Sequence, residues 1–380
     1  MALSPEQSPA PSDEPVVVHL ISSVAGVGGA EKVVAALARG AADHGWRSVV
    51  VNPFAGPDQS ATFRALYGST PYVARTTYRP QQLPGVRGWT ADQLARHRPS
   101  IVHVHLFHAT MLAATMRRPS GARWLLTHHH GALDEWQGRR ARAVADRWAC
   151  RRLRPVVAVS EQVRAYLLER CRLPPDDVIM IRNGWSGEPR RSALSGSPPT
   201  AVCVANFRPE KGHLVLLEAF RQSLPRVPLA RLVLVGAGPL ESTIRRRITE
   251  LGLDDAVTMA GPVSDVWPIL EAADLFVLAS WHEGLGIAVQ EAMAAGLPVV
   301  ATATGGLRGL VEHNETGWLV EPGDAPAMAQ RIIDLLRDAE LRRRFGNAGH
   351  ASAMTMRDTA MVGAYYDFYR ILLGSRGSRR

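Results

Sequence analysis

Residues 280–300 read SWHEGLGIAVQEAMAAGLPVV. Glu283 and Glu291 stand eight positions apart in this stretch, and a glycine-spaced turn, Gly284-Leu285-Gly286, follows the first of them. From Ile287 the pattern is small, apolar and helical, until Gly296-Leu297-Pro298 stops it. The preceding LFVLAS and the following PVVAT are short buried strands. Strand, glycine turn, helix and strand in this order form the repeating unit of a doubly wound parallel sheet. Glycines let such a turn close tightly and bring backbone near a ligand. A helix that starts near Gly286 points its unpaired N–H groups at the turn and favours an anion there. A diphosphate fits that position. Carboxylates on either side of it can accept hydrogen bonds from sugar hydroxyls, so the spacing suits a diphosphate with a sugar at each end. The plainer alternative is a helix with two unrelated surface glutamates.

The same alternation runs outward through the chain. VVVHLI, SVVVNPF, IVHVHLF, RWLLTHHH and PVVAVS read as strands separated by helical patterns. SGEPRRSALSGSPPT, residues 186–200, interrupts them with Gly, Ser and Pro and reads as a linker. A second series follows: AVCVANF, RLVLVGAG, AVTMAG, LFVLAS and PVVAT. The expectation is α/β, with two Rossmann-like doubly wound domains facing a cleft. The first covers 16–185 on the acceptor side, and the second covers 201–355 and binds the nucleotide. A helix over 356–373 packs back on the first domain. Residues 1–15 and 374–380 read as a disordered leader and tail. A cleft between two such halves is a usual place for a ligand.

Composition narrows the function classes. The 380 residues contain no apolar run near 18 positions, so no membrane-spanning helix is expected. Three scattered cysteines make no metal or redox spacing and suggest a reducing, cytoplasmic setting. The formal net charge is +9, and arginine supplies nearly all the cations. Lys32 and Lys211 are the only lysines. The densest basic run, RRARAVADRWACRRLR (139–154), reads as a solvated helix face, with peripheral contact to an anionic membrane as the second reading. Nucleic acid is not expected as a partner, because the arginine runs lack aromatic interleaving or a known binding module.

The Glu283–Glu291 segment resembles the E-x7-E motif of the family 4 retaining glycosyltransferases, which have the GT-B fold. VANFRPEKGHLVLLEAF, LVLVGAGPLE, ADLFVLASWHEG and GGLRGLVEHNETGWLVEPGD resemble that family too, as do AGVGGAEKVVAALA and VVAVSE…IRNGW in the first half. The resemblance therefore covers most of the chain. It implies transfer of a hexose-type sugar from a nucleotide diphosphate donor, UDP ranked ahead of GDP, to a hydroxyl acceptor. That acceptor would be a glycolipid, a polysaccharide intermediate or a small natural product. By resemblance, Glu291 binds the ribose hydroxyls and Glu283 the donor sugar. Backbone N–H groups around Gly284, Leu285, Gly286 and Ile287 hold phosphate, and Lys211 neutralises the leaving diphosphate. The family's usual arginine position is Asn206 here, so Arg208 is the candidate second cation. Gly305 and Gly306 are expected as a close-packed turn near the donor. Gly309 replaces the usual glutamate of GGxxE and is given no role. No cofactor or metal is implied, and no Asp-x-Asp sits on a strand-end loop. A GT-B epimerase or phosphorylase is the rival within enzymes.

In the first domain GVGGAE follows the first strand, but Ala30 and Glu31 depart from a dinucleotide fingerprint and the second strand ends at Asn52. Both points argue against NAD. By resemblance, Gly28 and Gly29 lie across the cleft from the donor phosphates. His103, His105 and His108 form one histidine cluster and His128, His129 and His130 another. Strand period places His103 with His105, and His128 with His130, on one face. A metal site is the alternative reading for these clusters, although no carboxylate stands at ligand spacing. THHHG resembles the family's T-x-H-G loop, with His130 as its match near donor and acceptor and His129 one register away.

Overall fold

The structure, a computed structural model, describes residues 14–22, 28–55, 60–75, 83–130, 137–194 and 198–374. Nearly all of the expected leader, the tail beyond 374, residues 23–27 of the glycine loop and Gly131 lie outside the described residues.

Two parallel sheets form the frame. The first contains β1 (Val16–Ile21), β2 (Arg47–Asn52), β3 (Tyr72–Ala74), β4 (Ile101–His105), β5 (Arg123–His128), β6 (Val156–Ala158) and β7 (Val178–Met180). Its spatial order is β3-β2-β1-β4-β5-β6-β7. The second contains β8 (Thr200–Val204), β9 (Arg231–Val235), β10 (Val257–Gly261), β11 (Leu275–Leu278), β12 (Val299–Thr302) and β13 (Gly317–Val320), in the order β10-β9-β8-β11-β12-β13. This is the two-domain doubly wound architecture the alternation implies. Helices cover both faces of each sheet, so central strands such as β1 and β12 are buried along their whole length and read as unbroken apolar runs. In each sheet the winding reverses between the first strand and the fourth. The loops after β1 and β4, and after β8 and β11, diverge there and leave a crevice at the carboxyl ends of the strands.

Among the helices that border the crevice or brace the two domains are α1 (Gly29–Arg39), α2 (Arg140–Arg152), α3 (His213–Ser223), α4 (Ile287–Ala294) and α5 (Asp358–Gly374). α5 follows the second sheet in sequence but lies on α1. The Tyr366 hydroxyl donates to the Leu37 carbonyl at 2.8 Å. The chain thus passes between the domains near Trp185 and again near Arg357, and the two passages pair. Trp185 N–H donates to the Met356 carbonyl at 3.1 Å, and Asp358 N–H to the Trp185 carbonyl at 3.0 Å. The Trp185 ring is fully buried, and its indole N–H donates to the Ala353 carbonyl at 2.7 Å.

The first domain carries an unusual polar cluster inside its apolar core. His19, His103, His105 and His129 are all buried. His19 Nδ1 lies 3.4 Å from His105 Nε2, and His105 Nδ1 lies 3.2 Å from His129 Nε2. His103 Nδ1 meets the Tyr369 hydroxyl of α5 at 2.6 Å, and its Nε2 meets the Thr127 hydroxyl at 2.7 Å. Ligand atoms of His19, His103 and His105 lie within 4.8 Å of one another. Both His103 nitrogens are nevertheless already used by hydroxyls, so hydrogen bonding accounts for this ring. The strand period fails at the other histidine cluster. β5 ends at His128, where sheet pairing stops at Ala158, so alternation does not extend to His130.

Burial holds the His19 ring down to about 3, and holds His103, His105 and His129 well below the ordinary value of 6.5. In the unfolded chain these rings take up protons as the pH drops through 6.5, whereas in the folded protein they stay neutral. The unfolded state therefore binds more protons, and stability falls as the medium becomes acidic. Each ring contributes a slope of up to about 1.4 kcal/mol per pH unit below its unfolded value. Urea unfolding at pH 7.5 and 5.5 should show a clear drop in midpoint, and His19→Asn should flatten that dependence. A midpoint unchanged between the two pH values would refute the neutral cluster.

Candidate active site

The divergent loops of the two domains face each other across a cavity of about 490 Å³. The second-domain wall is built from two loops held in register. After β8 the chain makes a short turn, Pro209–Lys211, before α3. After β11 it runs through Ser280–Gly286 into α4. Trp281 N–H donates to the Glu210 carbonyl at 2.8 Å and joins the loops. The Thr304 hydroxyl donates to the Trp281 carbonyl at 3.0 Å and supports the second loop from behind.

This register sets Lys211 on Glu283, with Nζ donating to Oε2 at 2.5 Å. The Ser280 hydroxyl approaches the same oxygen at 3.4 Å. Gly286 caps α4 with φ at +97°, a conformation that side chains rarely adopt. Leu285, Gly286 and Ile287 line the cleft at the start of α4, where the first N–H groups of a helix have no partner from a preceding turn. Gly305 and Gly306 pack behind this loop, and Gly306 N–H donates to the Glu283 carbonyl at 3.3 Å. Arg208 is exposed at the cleft edge, and among the described residues no carboxylate pairs with it.

The first-domain wall brings Gly28 and Gly29 to the start of α1, where Gly28 N–H donates to Glu31 Oε2 at 3.0 Å. A side-chain carbon on Gly29 would stand 3.3 Å from the Ile287 side chain, so the two glycine turns oppose each other. Asn206 lies opposite Gly28 in the same way. His128, His129 and His130 all line the cleft. His128 Nε2 meets Asp146 Oδ2 of α2 at 2.9 Å, and the Tyr166 hydroxyl donates to that oxygen at 3.1 Å. Burial works to raise the Asp146 carboxyl, but His128 and Tyr166 outweigh it and hold the group below its ordinary value. His129 turns into the buried cluster. His130 is exposed, and its carbonyl accepts a hydrogen bond from His282 Nε2 of the opposite wall.

Two of the residues that make cross-cleft contacts were given no site role by the sequence. One is His282. The other is Lys32, in the first turn of α1, whose ammonium pairs with Glu291 of α4. The rarity of lysine in the chain was the available signal for it. Each of the two lysines thus sits on one of the two glutamates.

Two Rossmann-like domains, a cleft at both switch points and an anion-favouring helix start on a carboxylate-flanked turn define a GT-B protein. The family models agree. Glycosyltransferase Family 4 matches residues 27–186, and Glycosyl transferases group 1 matches residues 187–352. The chain belongs to this glycosyltransferase family. It is 31% identical over 195 residues to N-acetyl-alpha-D-glucosaminyl L-malate synthase of Bacillus anthracis, covering 51% of each chain. The chain spans about half the length of the curated relatives it matches. Among solved structures, sucrose-phosphate synthase of Thermosynechococcus elongatus superposes with a TM-score of 0.80 at 22% identity, over 94% of this chain and 99% of the other. The Anabaena protein HepE in complex with UDP-glucose also gives 0.80, at 20% identity and the same coverages. These likenesses establish the fold.

The close approach of the two walls can be tested. A side-chain carbon on Gly284 would stand 2.0 Å from the His129 carbonyl oxygen, whereas one on Gly309 meets nothing within 4 Å. Gly284→Ala must push the walls apart. A displacement of about 1 Å can cost on the order of 100-fold in rate. Gly284→Ala should lose at least about tenfold in turnover with little change in thermal midpoint, and Gly309→Ala should lose nothing. Equal activity in the two variants would show that the contact is dispensable.

Proposed function

We propose that this protein transfers a hexose-type sugar from a nucleotide diphosphate donor to a hydroxyl acceptor with retention at the transferred carbon. One observation carries the reading: the chain's two lysines stand on the two glutamates that flank the helix-starting turn. That turn offers backbone N–H groups to a diphosphate, with Lys211 beside it as a compact charge. Glu283 then serves the hexose and Glu291 the ribose.

Charge builds on the diphosphate as its bond to the sugar breaks. Lys211, Arg208 and the N–H groups of Leu285 to Ile287 would already be oriented toward it, which lowers the barrier with little reorganisation. In front-face substitution the leaving phosphate oxygen takes the acceptor's proton, so no side chain has to act as base. His130 would hydrogen-bond a sugar hydroxyl or steady the acceptor. The UDP-glucose complex of a neighbour of this fold supports UDP, whereas a 37%-identical relative over 171 residues, named a GDP-mannose-dependent mannosyltransferase of Mycobacterium tuberculosis, supports GDP. Among the described residues no helix is long and apolar enough to cross a membrane. Val144 and Trp148 of α2 are nevertheless 58% and 48% exposed in a helix rich in arginine, which supports peripheral contact with an anionic surface and a glycolipid acceptor.

Turnover and nucleotide binding separate the roles. Lys211→Ala should cut turnover on the order of 100-fold or more and weaken diphosphate binding. His130→Ala should depress transfer and leave binding of the free nucleotide nearly intact. Near-normal turnover in the lysine variant would overturn the reading. Fixed positive charge at the diphosphate also makes a divalent ion unnecessary, so transfer should persist in EDTA. Loss on chelation, restored by magnesium or manganese, would contradict that division of labour.

A further inference from the structure

The contact between Lys32 and Glu291 lies outside the roles assigned above to Lys211, Arg208, Glu283 and His130. Glu291 is only 3% exposed, and its Oε1 takes the Lys32 ammonium. Its Oε2 is buried with no hydrogen-bond partner among the described residues. An ionised carboxylate offers about four acceptor sites, and leaving one of its oxygens buried and unmatched is costly. Lys32 is 32% exposed and reaches Glu291 from the opposite wall, 259 positions away in sequence.

We propose that Lys32 is a donor-site residue supplied by the first domain, holding Glu291 so that its second oxygen meets the donor's ribose. This rests on the nucleotide-sugar reading of the cleft. The choice of side chain supports it. The chain uses arginine almost everywhere else. A guanidinium is a planar fork that engages both carboxylate oxygens together. An ammonium is a point charge that binds one oxygen and leaves the other for a hydroxyl donor. Lysine at position 32 therefore fits a carboxylate that must bind a diol and a cation at the same time. Because Lys32 and Glu291 belong to different domains, filling the ribose site also ties α1 to α4.

Calorimetric titration with UDP and its 2′,3′-dideoxy analogue tests this, with the corresponding GDP pair run in parallel. Wild-type protein should bind the ribose form on the order of tenfold more tightly than the dideoxy form. Lys32→Met should bind both alike, at the weaker affinity. Lys32→Arg should do the same, because its fork occupies both oxygens. Glu291→Gln should match them, and Lys32→Met with Glu291→Gln should be no worse than either single change. The double variant carries no unpaired buried carboxylate, so it gives a reading even if Lys32→Met folds poorly. Retention of wild-type ribose preference in Lys32→Met would reduce the contact to a structural one and overturn the proposal, and so would retention in the double variant. Tighter UDP binding in Lys32→Met would overturn it in the opposite sense, because the lysine would then be an obstruction. Failure of the wild type to bind any of the four nucleotides would defeat the nucleotide-sugar reading itself, and this inference with it.

Discussion

Two ammonium groups resting on two carboxylates govern the cleft. Glu283 and Glu291 belong to one loop and helix, and unpaired they would place two like charges beside a turn whose helix-start N–H groups favour an anion. Lys211 and Lys32 counter those charges from two directions, one from the same domain and one from the other. The cluster is thus close to neutral at the carboxylates, while the helix N–H groups and Arg208 leave the turn itself electropositive. A site of this kind can hold a diphosphate and sugar hydroxyls together, because its cations and acceptors are interleaved.

The sheets make that interleaving achievable. Each domain brings two loops to its switch point. In the second domain the β8 loop carries Lys211 and the β11 loop carries Glu283, so adjacent strands deliver partners that are 72 positions apart. The first domain delivers α1 directly opposite α4. Close backbone approach at Gly284, and the backing turn at Gly305 and Gly306, fix the loop without side chains that would fill the cavity.

The sequence carries the parts of this picture that depend on local pattern. Unbroken β-branched runs are dictated by strands buried on both faces, and the glycine turn before α4 is dictated by its backbone. Lys211 and Glu283, which the fold brings into contact, were singled out by motif and by the scarcity of lysine. Contacts that depend on how two domains face each other were not readable. Nothing near Lys32 indicates Glu291, and nothing near His282 indicates the His130 carbonyl. The triple histidine misleads for a related reason. Its three rings follow three different constraints: His128 is drawn to Asp146, His129 to the buried cluster and His130 to solvent. Periodicity cannot describe a segment that leaves its sheet at the first of them.

The paired chain passages at Trp185 and Arg357 have a mechanical consequence. Two backbone hydrogen bonds and a buried indole, with Arg357 stacked 4.8 Å over it and Trp267 edge-on at 5.5 Å, form a compact pin joint. A rotation about such a joint leaves the joint's own bonds intact and spends its motion at the far rim. The hydrogen bonds that span the rim are polar contacts: Lys32 with Glu291, His282 with the His130 carbonyl, and Gln137 with Glu210 at 3.3 Å. Water or a sugar can replace each of these at small cost, whereas separating apolar faces would leave bare surface behind. At the rim, therefore, the two halves are held largely by solvent-exchangeable contacts, while the apolar core runs on continuously past the joint from one domain to the other.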